Sequence, residues 1–152
     1  MRIAIGCDHR GKNLKPRIIE YLHNHGHIVE DCCTEAEENT SCDYPDIAAN
    51  IAQKVSSGTV ERGVLICGTG IGMQITANKF PGIRAAVCMD ELTAEIARRH
   101  NNLNILCLSG DMLGERSLDG IIHTWLNTPF ENGRHQRRLD KISEIEKNLR
   151  IR

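Results

Sequence analysis

Aromatic side chains are scarce in this chain: one Trp, two Tyr and two Phe among 152 residues. So few rings argue against a base-stacking surface for single-stranded nucleic acid. Charge of one sign is lacking too. Nineteen Lys and Arg against 20 Asp and Glu give a net −1, so there is no basic field for nucleic acid and no acidic tail. No apolar run approaches the roughly 20 residues a membrane helix needs. Met1-Arg2 leads straight into a strand-like run with no secretory pattern before it. Seven Cys and seven His are present, yet no Cys-x-x-Cys or His-Glu-x-x-His spacing occurs. Cys32 and Cys33 are adjacent and point opposite ways on a strand, and His23, His25 and His27 alternate across a helix end and a turn. No metal site and no organic cofactor is expected. The odd cysteine count, with Cys7, Cys67, Cys88 and Cys107 in or at the ends of apolar runs, predicts reduced thiols in a cytoplasmic protein. No repeat, low-complexity segment or linker divides the chain, which predicts one domain over residues 1–152.

What is there is a regular alternation of strand and helix signals. Strands are predicted at Arg2–Cys7, His27–Cys32, Arg62–Cys67, Arg84–Cys88 and Asn104–Leu108. Helices are predicted at Lys12–His25, stopped by Gly26, and from Asp43-Tyr44-Pro45-Asp46 to Ser57. A short one follows the third strand and stops before Pro81-Gly82, and others cover Glu91–His100, Arg116–Leu126 and His135–Leu149. Cys33–Cys42 reads as a polar loop. Alternating strands and helices imply an α/β fold: a Rossmann-like three-layer αβα sandwich on a five-stranded parallel sheet, with an extra C-terminal helix. The order expected is 2-1-3-4-5. Its switch point, where open α/β sheets bind ligands, lies between strands one and three. That brings Asp8 and His9 beside Cys67 and Thr69, although almost sixty residues separate them in the chain.

The centre of the pattern is Val64-Leu65-Ile66-Cys67-Gly68-Thr69-Gly70-Ile71-Gly72. A buried strand ends in a cysteine, and three alternating glycines precede a helix. Such glycines let the backbone turn sharply and present N–H groups that favour an anion. A thiol held there gains thiolate character from the same partial positive charge. The ending lacks Gly-Lys-Ser/Thr, so it is no Walker loop, and it does not follow the first strand as a dinucleotide fingerprint does. A tight turn with a buried structural cysteine is the plain alternative.

Other candidates carry two readings each. His100-Asn101-Asn102 ends a helix, where a histidine cation and an asparagine cap are at home whether or not they serve chemistry. Arg134 and Arg138 are four apart, suited to one anion or to a solvated face. Asp43-Tyr44-Pro45 is a helix start with an early proline, or part of a pocket.

Taken together, Gly6-Cys7-Asp8-His9, Asp43-Tyr44-Pro45, Cys67–Gly72, Ala77-Asn78-Lys79, Gly82-Ile83-Arg84-Ala85, His100-Asn101 and Gly133–Arg138 occur in an order that resembles the type B ribose-5-phosphate isomerases. That family also holds galactose-6-phosphate isomerase subunits and allose-6-phosphate isomerase. The resemblance spans nearly the whole chain and is specific for the family, not for the sugar. It implies an aldose–ketose isomerase in which Cys67 removes the proton next to the carbonyl and backbone N–H groups of Gly68, Gly70, Ile71 and Gly72 hold the enediolate. It further implies that Thr69 binds the reacting hydroxyls, and that His100 opens the furanose ring from across a homodimer interface. Asp8 and His9 would bind the sugar and its phosphate end with Tyr44 lining the pocket, and Asn101, Arg134 and Arg138 would complete substrate binding, the two arginines taking the phosphate. No cofactor is implied, and whether dimers pair into tetramers is open. A hexose-6-phosphate isomerase of the same family, or a non-catalytic flavodoxin-like binding module, are the competing readings. One departure stands out: Asp111 occupies the loop position where the family usually has a phosphate-binding arginine. An anion there weakens phosphate binding unless its carboxylate is turned away.

Overall fold

The structure, a computed structural model, describes residues 1–33 and 42–150. Most of the loop expected at Cys33–Cys42 lies outside the described residues. Five strands, β1 (Arg2–Cys7), β2 (Ile28–Asp31), β3 (Arg62–Cys67), β4 (Ala85–Val87) and β5 (Ile105–Ser109), form one sheet in which every pair is parallel. Among the described residues six helices accompany it: α1 (Lys15–Asn24), α2 (Tyr44–Ser56), α3 (Ile71–Ala77), α4 (Glu91–Asn101), α5 (Glu115–Asn127) and α6 (Arg134–Arg150).

The strand order is β2-β1-β3-β5-β4, which corrects the expected 2-1-3-4-5. The reason lies in burial. β5 is buried along its whole length, whereas β4 is three residues long and only partly covered. A central parallel strand must bury both faces, and a short strand is tolerated at an edge. The switch point between β1 and β3 is unaffected, since β1 still pairs with β2 on one side and β3 on the other.

Alternation along each strand divides the core into two layers. Val64 and Ile66 join Ile3, Ile5, Leu106 and Leu108 beneath α1 and α5. Leu65 and Cys67 join Ala4, Ile105 and Cys107 beneath α2 and α3. Cys67 therefore faces the α2/α3 layer at the last position of β3. In the other layer Trp125 is fully buried, its indole N–H donating to the Leu103 carbonyl at 3.3 Å, with the Arg62 guanidinium 5.1 Å from the ring centroid. The buried Arg98 donates to the Leu103 carbonyl at 2.6 Å and to Asn102 Oδ1 at 2.9 Å. These bonds fix the turn from α4 into β5. Asn102, at φ 49°, closes α4 as the left-handed cap that the Asn101-Asn102 pair suggested.

Candidate active site

The carboxyl ends of β1, β3 and β5 meet around the glycine loop. Cys67 Sγ accepts the Gly70 N–H at 3.1 Å. That bond requires Gly70 at φ 79°, and a Cβ there would stand 3.1 Å from Val87 Cγ2 and 3.2 Å from the Leu108 carbonyl oxygen. Only glycine meets both demands. The loop's carbonyls are tied back to the end of β5. The Gly110 N–H donates to the Cys67 carbonyl at 2.7 Å, and the Gly68 carbonyl accepts the Ser109 hydroxyl at 2.6 Å and the Asp111 N–H at 3.2 Å. Thr69 is exposed, and its hydroxyl accepts the Ile71 N–H at 3.3 Å. Two of the loop's N–H groups are thus already engaged, one on the thiol and one on a hydroxyl.

Asp8 is buried at the end of β1, its N–H donating to the Ile66 carbonyl at 3.1 Å and its Oδ1 accepting the Arg10 N–H at 2.9 Å. The next residue, His9, has a buried Nδ1 that makes no hydrogen bond among the described residues. A buried polar atom so placed suits a ligand. Tyr44 opens α2 with its ring laid on Gly72, where a Cβ would come within 2.5 Å of the ring carbons. Asp43 sits at the N-cap of α2 with proline behind it, but its side chain makes no capping bond. Asp8 lies beside the end of β3, where the switch-point argument expects it, and Tyr44 packs on the same loop at Gly72.

Asp111 does not stand alone. Arg10 grips its carboxylate with two nitrogens, Nη2 to Oδ2 at 2.6 Å and Nε to Oδ1 at 3.1 Å. Asp111 Oδ2 lies 2.9 Å from where a Cβ on Gly68 would be, so the pair rests on the catalytic loop candidate itself.

The remaining candidates gather elsewhere. His100 stacks on His135 with centroids 4.1 Å apart and planes 5° from parallel. Glu131 Oε2 lies 3.8 Å from His100 Nε2 and 3.3 Å from His135 Nε2, while Arg99 holds Oε1. Arg134 Nε approaches His135 Nε2 at 3.3 Å, and burial together with the charges of His100, Arg134 and Arg138 holds the His135 pKa below the usual imidazole range. Asn101 is exposed on the last turn of α4. This group lies at the amino ends of the strands: β5 begins at Ile105, four residues after Asn101, and Cys67 pairs with Ser109 at its far end. Four strand steps separate the two ends by about 13 Å. One protomer does not join His100, Asn101, Arg134 and Arg138 to Cys67.

His100, Glu131 and His135 each offer one ligand atom, all within 4.8 Å of one another. Ring-nitrogen lone pairs lie in the ring plane, and one ion cannot occupy two parallel planes stacked 4.1 Å apart. With Arg99 and Arg134 alongside, the geometry suits a carboxylate-bridged histidine pair better than a metal.

These features and this fold define a class of α/β isomerases. Residues 3–142 match the Ribose/Galactose Isomerase family, and the chain belongs to it. It is similar to ribose-5-phosphate isomerase B of Escherichia coli, with 43% identity over 145 residues, 95% of this chain and 96% of that protein. It is also similar to a D-erythrulose-4-phosphate isomerase of Pectobacterium atrosepticum, with 39% identity over 146 residues, 96% of this chain and 95% of that one. Among solved structures, ribose-5-phosphate isomerase B of Clostridium thermocellum superposes with a TM-score of 0.94 at 47% identity, covering 98% of this chain and 99% of its own. The Mycoplasma genitalium enzyme, solved with bound ribulose 5-phosphate, gives 0.91 at 41% identity and 96% coverage of both chains.

Sequence reasoning missed Arg10, Glu131 and His135. The signal for His135 was its place in Gly133–Arg138, where Asn132 at φ 61° and Gly133 at φ 57° turn the chain into α6. The bond of Glu131 to Arg99 and the Arg10–Asp111 pair span 32 and 101 residues, which no local pattern encodes.

Proposed function

We propose that this chain is an aldose–ketose isomerase acting on a phosphorylated sugar, interconverting ribose 5-phosphate and ribulose 5-phosphate. The observation that carries the reading is the Cys67 thiol at the end of β3, oriented by the Gly70 N–H and flanked by Asp8, His9 and Tyr44. In this reading the Cys67 thiolate takes the C2 proton of the open-chain aldose. The C–H electron pair enters the C1–C2 bond, and the carbonyl oxygen becomes an enediolate oxyanion. Of the backbone N–H groups between Gly68 and Gly72, those not engaged by Cys67 Sγ and Thr69 Oγ1 stabilise that charge. The thiol then returns a proton to C1 while the O2 proton moves to O1 past Thr69, so the net change is one hydrogen from C2 to C1 and one from O2 to O1.

Completing the site takes a second copy. His100, Asn101, Arg134 and Arg138 of one protomer serve the Cys67 loop of the other, His100 in ring opening and the arginines on phosphate. Exposed apolar side chains on α3 (Ile71, Ile75), α4 (Leu92, Ile96) and α6 (Ile142, Ile145) support such a contact. A cytoplasmic setting, without nucleic-acid or membrane partners, completes the proposal. Among the described residues no helix is long and apolar enough to cross a membrane.

A different sugar phosphate is the second reading, and the carboxylate of Asp111 is the observation that favours it. Isomerisation of ribose 5-phosphate, allose 6-phosphate and a tetrose 4-phosphate by the parent and by Cys67→Ala tests both. Loss of a general base lowers kcat by about 10²–10⁴. Full turnover by Cys67→Ala removes Cys67 from the mechanism, and turnover centred on another sugar replaces ribose 5-phosphate as the substrate.

A further inference from the structure

We infer that Arg10 is a specificity-determining residue that contacts the sugar's phosphate, with Asp111 as its positioning residue. The inference rests on the sugar-phosphate isomerase reading and extends it. A guanidinium carries five N–H donors in a rigid fork. Asp111 occupies the Nε–H and one Nη2–H of Arg10, and the two Nη1–H groups and the second Nη2–H remain for another acceptor. The Arg10 side chain is 54% exposed, so those donors reach solvent.

Position decides what they meet. Arg10 follows Asp8 and His9 directly and lies over Gly68 of the Cys67 loop, with Gly68 and Gly110 both hemmed in by the Arg10 and Asp111 segments. A Cβ on Gly110 would run into the Arg10 carbonyl, so the loops after β1 and β5 are in backbone contact and the pair cannot drift without opening them. An ion pair this exposed adds little to stability, so stability does not explain it. Its electrostatic effect is larger. Asp111 alone would repel a dianion. Paired with Arg10 its charge is neutralised and the guanidinium plane is fixed, leaving three oriented N–H donors on the loop that also carries His9. The cation expected on the β5 loop is thereby supplied from the β1 loop, and the tip of the site can discriminate among phosphorylated sugars by their length.

The test uses the whole protein in four forms: parent, Arg10→Gln, Asp111→Asn, and Arg10→Gln with Asp111→Arg. Kinetics on ribose 5-phosphate, allose 6-phosphate and a tetrose 4-phosphate are measured beside inorganic phosphate binding by calorimetry. A charge-assisted hydrogen bond lost from the phosphate raises KM and the phosphate Kd about tenfold or more. Arg10→Gln should show that rise with kcat within about twofold. Asp111→Asn should give a smaller rise, and the double variant should recover most of the loss. A purely structural pair would instead lower kcat and the melting temperature together, with no recovery in the double variant, and would overturn the inference. So would an unchanged KM and Kd in Arg10→Gln. If Arg10→Gln does not fold, the parent and Asp111→Asn decide: phosphate affinity in Asp111→Asn equal to the parent's overturns the positioning role. A parent inactive on every sugar phosphate removes the isomerase reading, while the calorimetry still judges Arg10.

Discussion

Replacing Gly70 by alanine perturbs two things that can be separated. The residue is held at φ 79°, a conformation that costs an L-residue about 1–2 kcal/mol. The new Cβ also meets Val87 Cγ2 at 3.1 Å and the Leu108 carbonyl oxygen at 3.2 Å. Val87 can shift a little, but the Leu108 carbonyl belongs to the inner strand β5 and cannot. Crowding of that kind adds about 1–2 kcal/mol, for a total of about 2–4 kcal/mol. In a chain of this size that is a fall in Tm of roughly 5–15 °C. If the loop moves to relieve the contact, the Gly70 N–H leaves Cys67 Sγ and kcat should fall further than KM rises. Gly82→Ala is the internal control: its φ is 70°, but nothing lies within 4 Å of its Cβ. It should show the conformational cost alone, with kcat unchanged. Thermal denaturation and steady-state kinetics on both variants give the comparison. Equal Tm losses in the two, with kcat intact in Gly70→Ala, would refute the claim that this loop is packed to tolerance around the thiol.

Three other outcomes are expected. Trp125→Ala, which empties a fully buried site and removes the indole N–H from the Leu103 carbonyl, should cost about 3–5 kcal/mol by urea unfolding. The His135 pKa is lowered in the fold by burial and by His100, so the folded protein favours the neutral ring. Its protonation penalty appears as pH falls below the ordinary value of 6.5 and is complete below the lowered value, so urea midpoints should decline from pH 8 to pH 5, and less steeply in His135→Gln. Gly72→Ala should displace the Tyr44 ring that now covers it, raising KM with little change in fold; an unchanged KM would take Tyr44 out of the pocket.

Much of this was legible in the sequence, and the parts that were not share a cause. The apolar runs of β1, β3 and β5 and the period of α1 and α2 are local signals, and the switch point follows from them. The positions of Asp8 and Cys67 were therefore within reach. Strand order was not, because it depends on which of two short apolar runs is better covered: the run at Ile105 is buried on both faces and takes the inner place, leaving Ala85–Val87 at the edge. The Arg10–Asp111 pair escaped for a related reason. Asp111 looked like a lost cation because its partner is 101 residues away. His100 was legible as a residue at a helix end, but its stack on His135 and its Glu131 neighbour required α6 to fold back on α4.

In the proposed enzyme each site is shared, with Cys67 from one protomer and His100 from its partner. Subunit complementation tests it most directly. Cys67→Ala and His100→Asn, each inactive or nearly so on ribose 5-phosphate, are mixed in equal amounts, unfolded and refolded together. Random pairing makes half the dimers mixed, and each mixed dimer regains one intact site of two, so about one quarter of parental activity should return. If the mixture shows no more activity than the two variants apart, the two groups do not act in a site shared between protomers.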